Sequence, residues 1–172
     1  MRLHVLTACT RPQNLPLLAN SIEAAMCEPW EVCWHLRFDP ELWHVGGQRL
    51  KNDMLDQISD GWVCFLDDDT IMHPLLLHLA ARWSRHADIV AVVVAQSRAD
   101  GRTLHAAEEN VRVGEIDIGQ VVLRRDLIGD DRLPLDYEGD GMFLSNILIG
   151  EPGVVYIDEV FSFHNKLETV AA

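Results

Sequence analysis

Residues 88–95, DIVAVVVA, are apolar at every position after the first. A strand with one wet face alternates apolar and polar residues, so a run this uniform predicts a strand covered on both faces, as in a parallel sheet flanked by helices. The rest of the chain supplies partners for it. Residues 2–8, 30–36, 62–66, 119–123 and 154–157 read as further strands, and residues 12–26, 46–58, 74–85 and 141–149 as helices. In the first helix Leu15, Leu18, Ile22 and Met26 share a face; in the second, Leu50, Met54, Leu55 and Ile58 point inward. Residues 97–115 are polar and weakly patterned, a loop or edge hairpin. Residues 126–129 form a short helical turn, 133–140 an acidic loop, and the tail after His164 a frayed end. Strands alternating with helices predict an α/β fold with a mostly parallel central sheet, in one domain over residues 1–172. Ligands of such sheets bind at the carboxyl ends of the strands.

Charge and composition narrow the function. The net charge is −13 and the sequence pI about 4.8, which argues against nucleic acid as a partner, since binding phosphates along a backbone needs a basic footprint. A nucleotide ligand stays open, because a bound cation reverses the local field. No apolar run approaches the roughly 20 residues of a membrane span, and the opening MRLHVLTACT reads as a first strand rather than a signal peptide. The cysteines, Cys9, Cys27, Cys33 and Cys64, form no CxxC pair and read as reduced thiols of a cytoplasmic protein.

The third strand ends in VCFLDDDT, with four apolar residues running into Asp67, Asp68 and Asp69. Side chains alternate along an extended strand, so Asp67 and Asp69 are expected on one side and Asp68 on the other. Two carboxylates about 4 Å apart repel by about 4 kcal/mol at an effective dielectric near 20. Such a cluster stays solvated, retains a proton, or holds a cation. Oxygen-only ligands suit Mg²⁺ or Mn²⁺, which commonly join one or two carboxylates to substrate phosphates. By composition, the triplet proposes metal-bridged phosphate binding.

The chain also resembles a GT-A-fold glycosyltransferase of the family-2 type. HVLTACTRPQNLPLLANSI is similar to that family's first strand, nucleotide-contacting loop and first helix. GGQRLKNDMLDQISDGWVCFLDDDT is similar to its middle segment, where a basic or Asn-bearing helix precedes a strand ending in D-x-D. EIDIGQVVLRRDLIGDDRLPLDYEGDGMFLSNIL is similar to the acceptor-side segment with its acidic base, and FSFHN to the late His. The likeness spans roughly residues 2–166.

The resemblance implies a GT-A-like three-layer sandwich, a UDP- or GDP-sugar donor, a Mn²⁺ or Mg²⁺ cofactor and an acceptor hydroxyl. It implies that Thr7, Ala8 and Arg11 lie under the nucleotide, that Asp39 accepts hydrogen bonds from the base, and that one of Arg49, Lys51 and Asn52, with Asn52 the choice, reaches the donor. Asp69 becomes the direct metal ligand. Asp67 holds the ribose or a metal-bound water, Asp68 belongs to the donor-side group but is dispensable for metal, and His164 is a third ligand or a donor to the diphosphate. Asp140 becomes the general base of an inverting transfer, with Glu138 as runner-up and Asp117 lining the same cleft. Trp43, Trp62 and Tyr137 are candidates to stack on a sugar, although Trp62 reads as core. The chain departs from the family pattern in being short, in carrying DYEGDG for the commoner Glu-Asp pair, and in lacking a Gln-rich Arg-Trp motif. Two rival readings remain: a non-catalytic nucleotide-sugar or metal-binding module, which needs Asp67 and Asp69 but not Asp140, and a haloacid-dehalogenase-like phosphatase, whose D-x-D sits on the first strand rather than the third.

Overall fold

A computed structural model describes residues 1–38 and 47–164. The candidates Asp39 and Trp43 and the tail after His164 lie outside the described residues. In chain order the elements are β1 (Arg2–Cys9), α1 (Leu15–Ala25), β2 (Glu31–Phe38), α2 (Gln48–Leu55), β3 (Trp62–Phe65), β4 (Ile71–Met72), α3 (Leu76–Trp83), β5 (Ala91–Arg98), β6 (Thr103–Leu104), β7 (Val121–Arg124), α4 (Arg125–Ile128), α5 (Gly139–Leu148) and β8 (Val154–His164). A 3₁₀ turn at Pro12–Asn14 leads into α1, where the proline suits a helix start because it has no N–H to leave unpaired.

The sheet order is β2-β1-β3-β7-β5-β8-β4, with β6 paired to β5. β1 is parallel to β2 and β3, and β5 is parallel to β8. β7 runs antiparallel to both β3 and β5, and β4 is antiparallel to β8. The expected mostly parallel sheet is therefore corrected to a mixed one: a reversed strand is built into its centre. An apolar run reads the same in either direction, so its pattern reports burial and not polarity.

The apolar run at 91–95 lies in β5, an interior strand of the sheet, where alternate residues enter opposite cores. Ala91 and Val93 join Leu6, Val63 and Phe65 against Met54 and Leu55 of α2 and Phe143, Leu144 and Leu148 of α5. Val92 and Val94 join Leu3, Val5 and Cys64 against Leu18 and Ile22 of α1 and Leu76, Leu77 and Ala80 of α3. Trp62 belongs to this second core, edge-on to Trp30, whose Nε1 donates to Leu77 O at 2.9 Å. Each fully buried aliphatic side chain contributes about 1.5–3 kcal/mol, and this two-sided burial holds β5 as the axis of the fold.

β8 continues past the expected end at Ile157. Its pairing with β5 shifts from Val94↔Ile157 to Ala95↔Val160, so Asp158 and Glu159 bulge out and the ladder resumes to Arg98↔His164. Two adjacent acids end the apolar pattern, and the bulge keeps them off the ladder while carrying His164 to the carboxyl end of the sheet.

Gly47 caps α2 at φ +72°, and a Cβ built there would lie 2.4 Å from the Ala8 Cβ. Gly47→Ala combines left-handed strain with a clash against β1. It is expected to cost about 2–4 kcal/mol, read as a fall in the urea midpoint without a change in slope.

Candidate active site

The carboxyl ends of β1, β3, β5 and β8 and the start of α5 surround a cavity of about 680 Å³. Ala8 lines it at the end of β1, Thr10 and Arg11 just after, Asp67–Asp69 after β3, Arg98 and His164 at the ends of β5 and β8, Asp117 ahead of β7, and Tyr137, Glu138 and Asp140 around the start of α5. Strands that run the same way deliver their loops to one edge, which gathers residues far apart in sequence.

The aspartate triplet is a turn rather than an extended continuation of β3: Thr70 N donates to Asp67 O at 3.0 Å. Asp68 turns into the protein. Its Oδ2 accepts from the Thr10 N–H at 2.6 Å, the Thr10 hydroxyl at 3.1 Å and the Arg11 N–H, and its Oδ1 accepts from Arg11 Nε at 3.0 Å. The Asp68 carbonyl accepts from Asn14 Nδ2 at 3.0 Å. This carboxylate buckles the β1 loop to the β3 turn, so that fastening, rather than strand alternation, fixes its direction.

Arg11 spans two carboxylates, reaching Asp69 Oδ2 at 2.8 Å as well as Asp68. Asp69 is almost fully buried. Burial first, and the neighbouring Asp67 charge second, push its carboxyl up from the ordinary range, with His164 and Arg11 opposing.

Lys51 is completely buried, and its Nζ lies 2.7 Å from Asp67 Oδ1. At that distance the ammonium and the carboxylate form an ion pair. Burial alone would lower the lysine pKa. The Asp67 charge, reinforced by Asp140 and Asp117, overrides it and raises the pKa.

Asp140 sits in the first turn of α5 and is half-buried, and its Oδ1 has no hydrogen-bond partner. Burial pushes its carboxyl up to about 6, with Lys51 pulling down and Asp67 and Asp117 pushing up. Glycines on either side allow this placement by close approach: a Cβ on Gly139 would lie 2.3 Å from Pro134 O, and one on Gly141 2.7 Å from the Val113 Cα. Glu138 is exposed at the helix N-cap without a capping bond. Asp117 caps a 3₁₀ turn, accepting from the Gly119 N–H at 2.9 Å, and lies 3.4 Å from Arg98 Nη1 and 3.8 Å from His164 Nδ1.

Ala8, Arg11, Asp67, Asp68, Asp69, Glu138, Asp140 and His164 thus share one cavity, and Tyr137, 91% exposed, stands on its rim. Two candidates do not reach it. Thr7 is buried, its hydroxyl accepting from Trp34 Nε1 at 3.0 Å. Asn52 is spent on the loop before α5: its Nδ2 donates to Leu133 O and its Oδ1 accepts from Leu133 N, both at 2.9 Å. Of the three α2 residues considered, the one turned toward the acidic cluster is Lys51, while Arg49 is exposed. The signal was present in the sequence, since Lys51 precedes Met54, Leu55 and Ile58 by three, four and seven residues and so lies on the apolar face. Arg98 and Arg102 also line the cavity. They come from a segment too weakly patterned to be placed from sequence.

No known protein family matches the sequence, and no curated protein matches it either. Solved structures do match the fold. S. aureus TarS 1–349 superposes with a TM-score of 0.68 at 16% identity, covering 95% of this chain and 60% of TarS 1–349. The same protein in complex with UDP-GlcNAc gives 0.71 at 15% identity, covering 95% and 58%. A197 from STIV gives 0.56 at 18% identity, covering 94% and 83%. The chain spans about three-fifths of TarS 1–349. The fold that brings these carboxylates together is GT-A-like.

Proposed function

We propose that this chain is a glycosyltransferase that moves a sugar from a nucleotide-diphosphate donor to an acceptor hydroxyl, with inversion. One observation carries the reading: an acidic turn and a separate, half-buried carboxylate with an unpartnered Oδ1 face the same cavity, in a fold shared with a protein seen with UDP and UDP-GlcNAc. The carboxyl ends of β1 and β3 form the donor side, with a UDP-sugar favoured over a GDP-sugar by that likeness. The start of α5 forms the acceptor side. The helices on both faces of the sheet support the three-layer GT-A arrangement, and the four free thiols support a reducing, cytoplasmic setting.

Asp140 takes the proton from the attacking hydroxyl. With its carboxyl near 6 it is roughly nine-tenths ionised at pH 7, yet basic enough to accept a proton. Glu138, exposed to solvent, is the weaker candidate for this role. Asp68 holds the β1 loop and the acidic turn together and does not spend its oxygens on the donor.

The donor set suits Mn²⁺ or Mg²⁺: Asp69, with its charge pressed by Asp67, and the His164 imidazole lie on one cavity. Among the described residues no three His, Cys, Asp or Glu side chains converge on a ready-made metal site, so Asp69 must first part from Arg11. Asp69 would hold the cation directly, Asp67 a ribose or a metal-bound water, and His164 the third position. Bound there, the cation supplies neutralisation of the diphosphate leaving group.

Calorimetric titration of UDP should show affinity that rises at least about tenfold with Mn²⁺, a gain of about 1.4 kcal/mol, and that is lost in Asp69→Asn. Equal affinity in excess chelator would sink the metal assignment. Sugar release from UDP-GlcNAc then separates an enzyme from a binding module.

A further inference from the structure

Away from the cavity, two histidines touch. In the parallel register of β1 and β2, His4 lies opposite Cys33 and Leu6 opposite His35, so both imidazoles stand on the face of the sheet that carries Leu6. His4 Nδ1 and His35 Nε2 are 2.8 Å apart. His4 is buried and His35 half-buried. Gly61 closes on the His4 ring, since a Cβ there would lie 3.4 Å from His4 Cδ2. His4 Nε2 is buried with no hydrogen-bond partner. The sheet order puts β2 at an edge, beside β1. An N···N contact of this length is a hydrogen bond with one proton in it, one ring donating and the other accepting. It forms when both rings are neutral or when one is an imidazolium. When both are imidazolium, two N–H groups face each other and two positive charges repel. A charged His4 also carries a buried N–H at Nε2 that meets no acceptor.

We propose that the His4–His35 contact is an acid-sensitive clasp: it fastens the edge strand β2 to β1 while one of the two facing nitrogens is bare, and it releases β2 when both carry a proton. The charges around the pair are Arg2, Glu31 and Asp60 near His4 and Arg37 near His35. Arg2 is paired with Glu31 and Asp60 at the surface, Arg37 Nη2 donates to Gln57 Oε1 just past α2, and β3 presents Val63 beside His4. Burial first, then His35 and Arg2, holds the His4 imidazole below its ordinary value of 6.5, with Asp60 and Glu31 opposing. Burial and then Arg37 do the same for His35. The clasped strand therefore binds these protons less tightly than the open one. Its contribution is full above about pH 6.5 and is lost as pH falls below that. The clasp does not depend on the glycosyl-transfer reading, and its test needs no substrate.

The test is amide hydrogen exchange on the full chain, with rates corrected for their intrinsic pH dependence. One proton taken up by the open form alone changes the opening constant about tenfold between about pH 7.5 and about pH 5.5. The protected amides of β2 should lose at least about that much protection over this range. At about pH 5.5 they should exchange at least about tenfold faster than those of Val92–Val94 in β5, because the edge strand opens by itself. Matching rates in the two strands would overturn local release. His4→Gln and His35→Gln each keep a hydrogen-bonding group and remove one proton-binding ring, and each should cut the acid loss to about threefold or less. A loss as large in both variants as in wild type overturns the proposal. If neither variant folds, ¹⁵N spectra of the wild-type imidazoles decide. Both rings should titrate below the ordinary 6.5, in two separated steps, and two uncoupled titrations at 6.5 overturn the clasp.

Discussion

Asp140→Asn is expected to abolish sugar transfer and to make the protein more stable. Loss of a general base costs about 10²- to 10⁴-fold in rate. The stability gain follows from linkage. Burial raises the Asp140 carboxyl from its ordinary value near 3.8 to about 6, so the folded state holds this proton more tightly than the unfolded chain. Above pH 6 the folded protein carries a buried anion that it disfavours, and as pH falls toward 4 that penalty disappears. A shift of this size corresponds to about 3 kcal/mol, already net of the attraction of Lys51. Urea unfolding at pH 8 should therefore show Asp140→Asn more stable than wild type, with the gap closing by pH 4. Metal-dependent UDP binding should survive. Retained transfer would place the base elsewhere, with Glu138 the next to test.

Asp68→Ala should have the opposite character, a large loss of stability from a residue outside the chemistry. The substitution strands the N–H groups of Thr10 and Arg11 and leaves the Arg11 guanidinium short of one carboxylate. Hydrogen bonds to a charged acceptor are worth about 1.5–3 kcal/mol each, and breaking a buried pair from one side costs about 3–5 kcal/mol. We expect a loss near 4 kcal/mol in the urea titration. Asp68→Asn should fall between. Its oxygen can replace Oδ2 toward Thr10 and Arg11, but its amide then opposes Arg11 Nε, donor against donor. That variant should lose about 1–3 kcal/mol yet keep metal-dependent UDP binding. If Asp68→Asn folds normally but no longer binds UDP with Mn²⁺, Asp68 belongs to the donor site after all.

These two outcomes give Asp140 and Asp68 different roles. Three consecutive aspartates read as one cluster in the sequence, whereas the structure gives Asp67 a buried lysine, Asp68 a backbone loop and Asp69 an arginine. Asp140 has no hydrogen-bond partner for Oδ1, and burial pushes its carboxyl up to about 6.

The sequence by itself determined the α/β class, the strand buried on both faces, the termination of β3 in acids, and the glycines around Asp140. Each of these is written in local pattern: uniform burial over 91–95, a helical repeat through Met54, Leu55 and Ile58, and residues without a Cβ where backbones meet. The tertiary structure decided the rest. The direction of β7, the bulge that brings His164 to the cavity, the inward turn of Asp68, and the withdrawal of Thr7 and Asn52 from the cavity depend on partners 27 to 81 residues away. Periodicity reports which face of a segment is buried. It does not report what the segment is buried against, and for Lys51 that partner is what makes a buried charge tolerable.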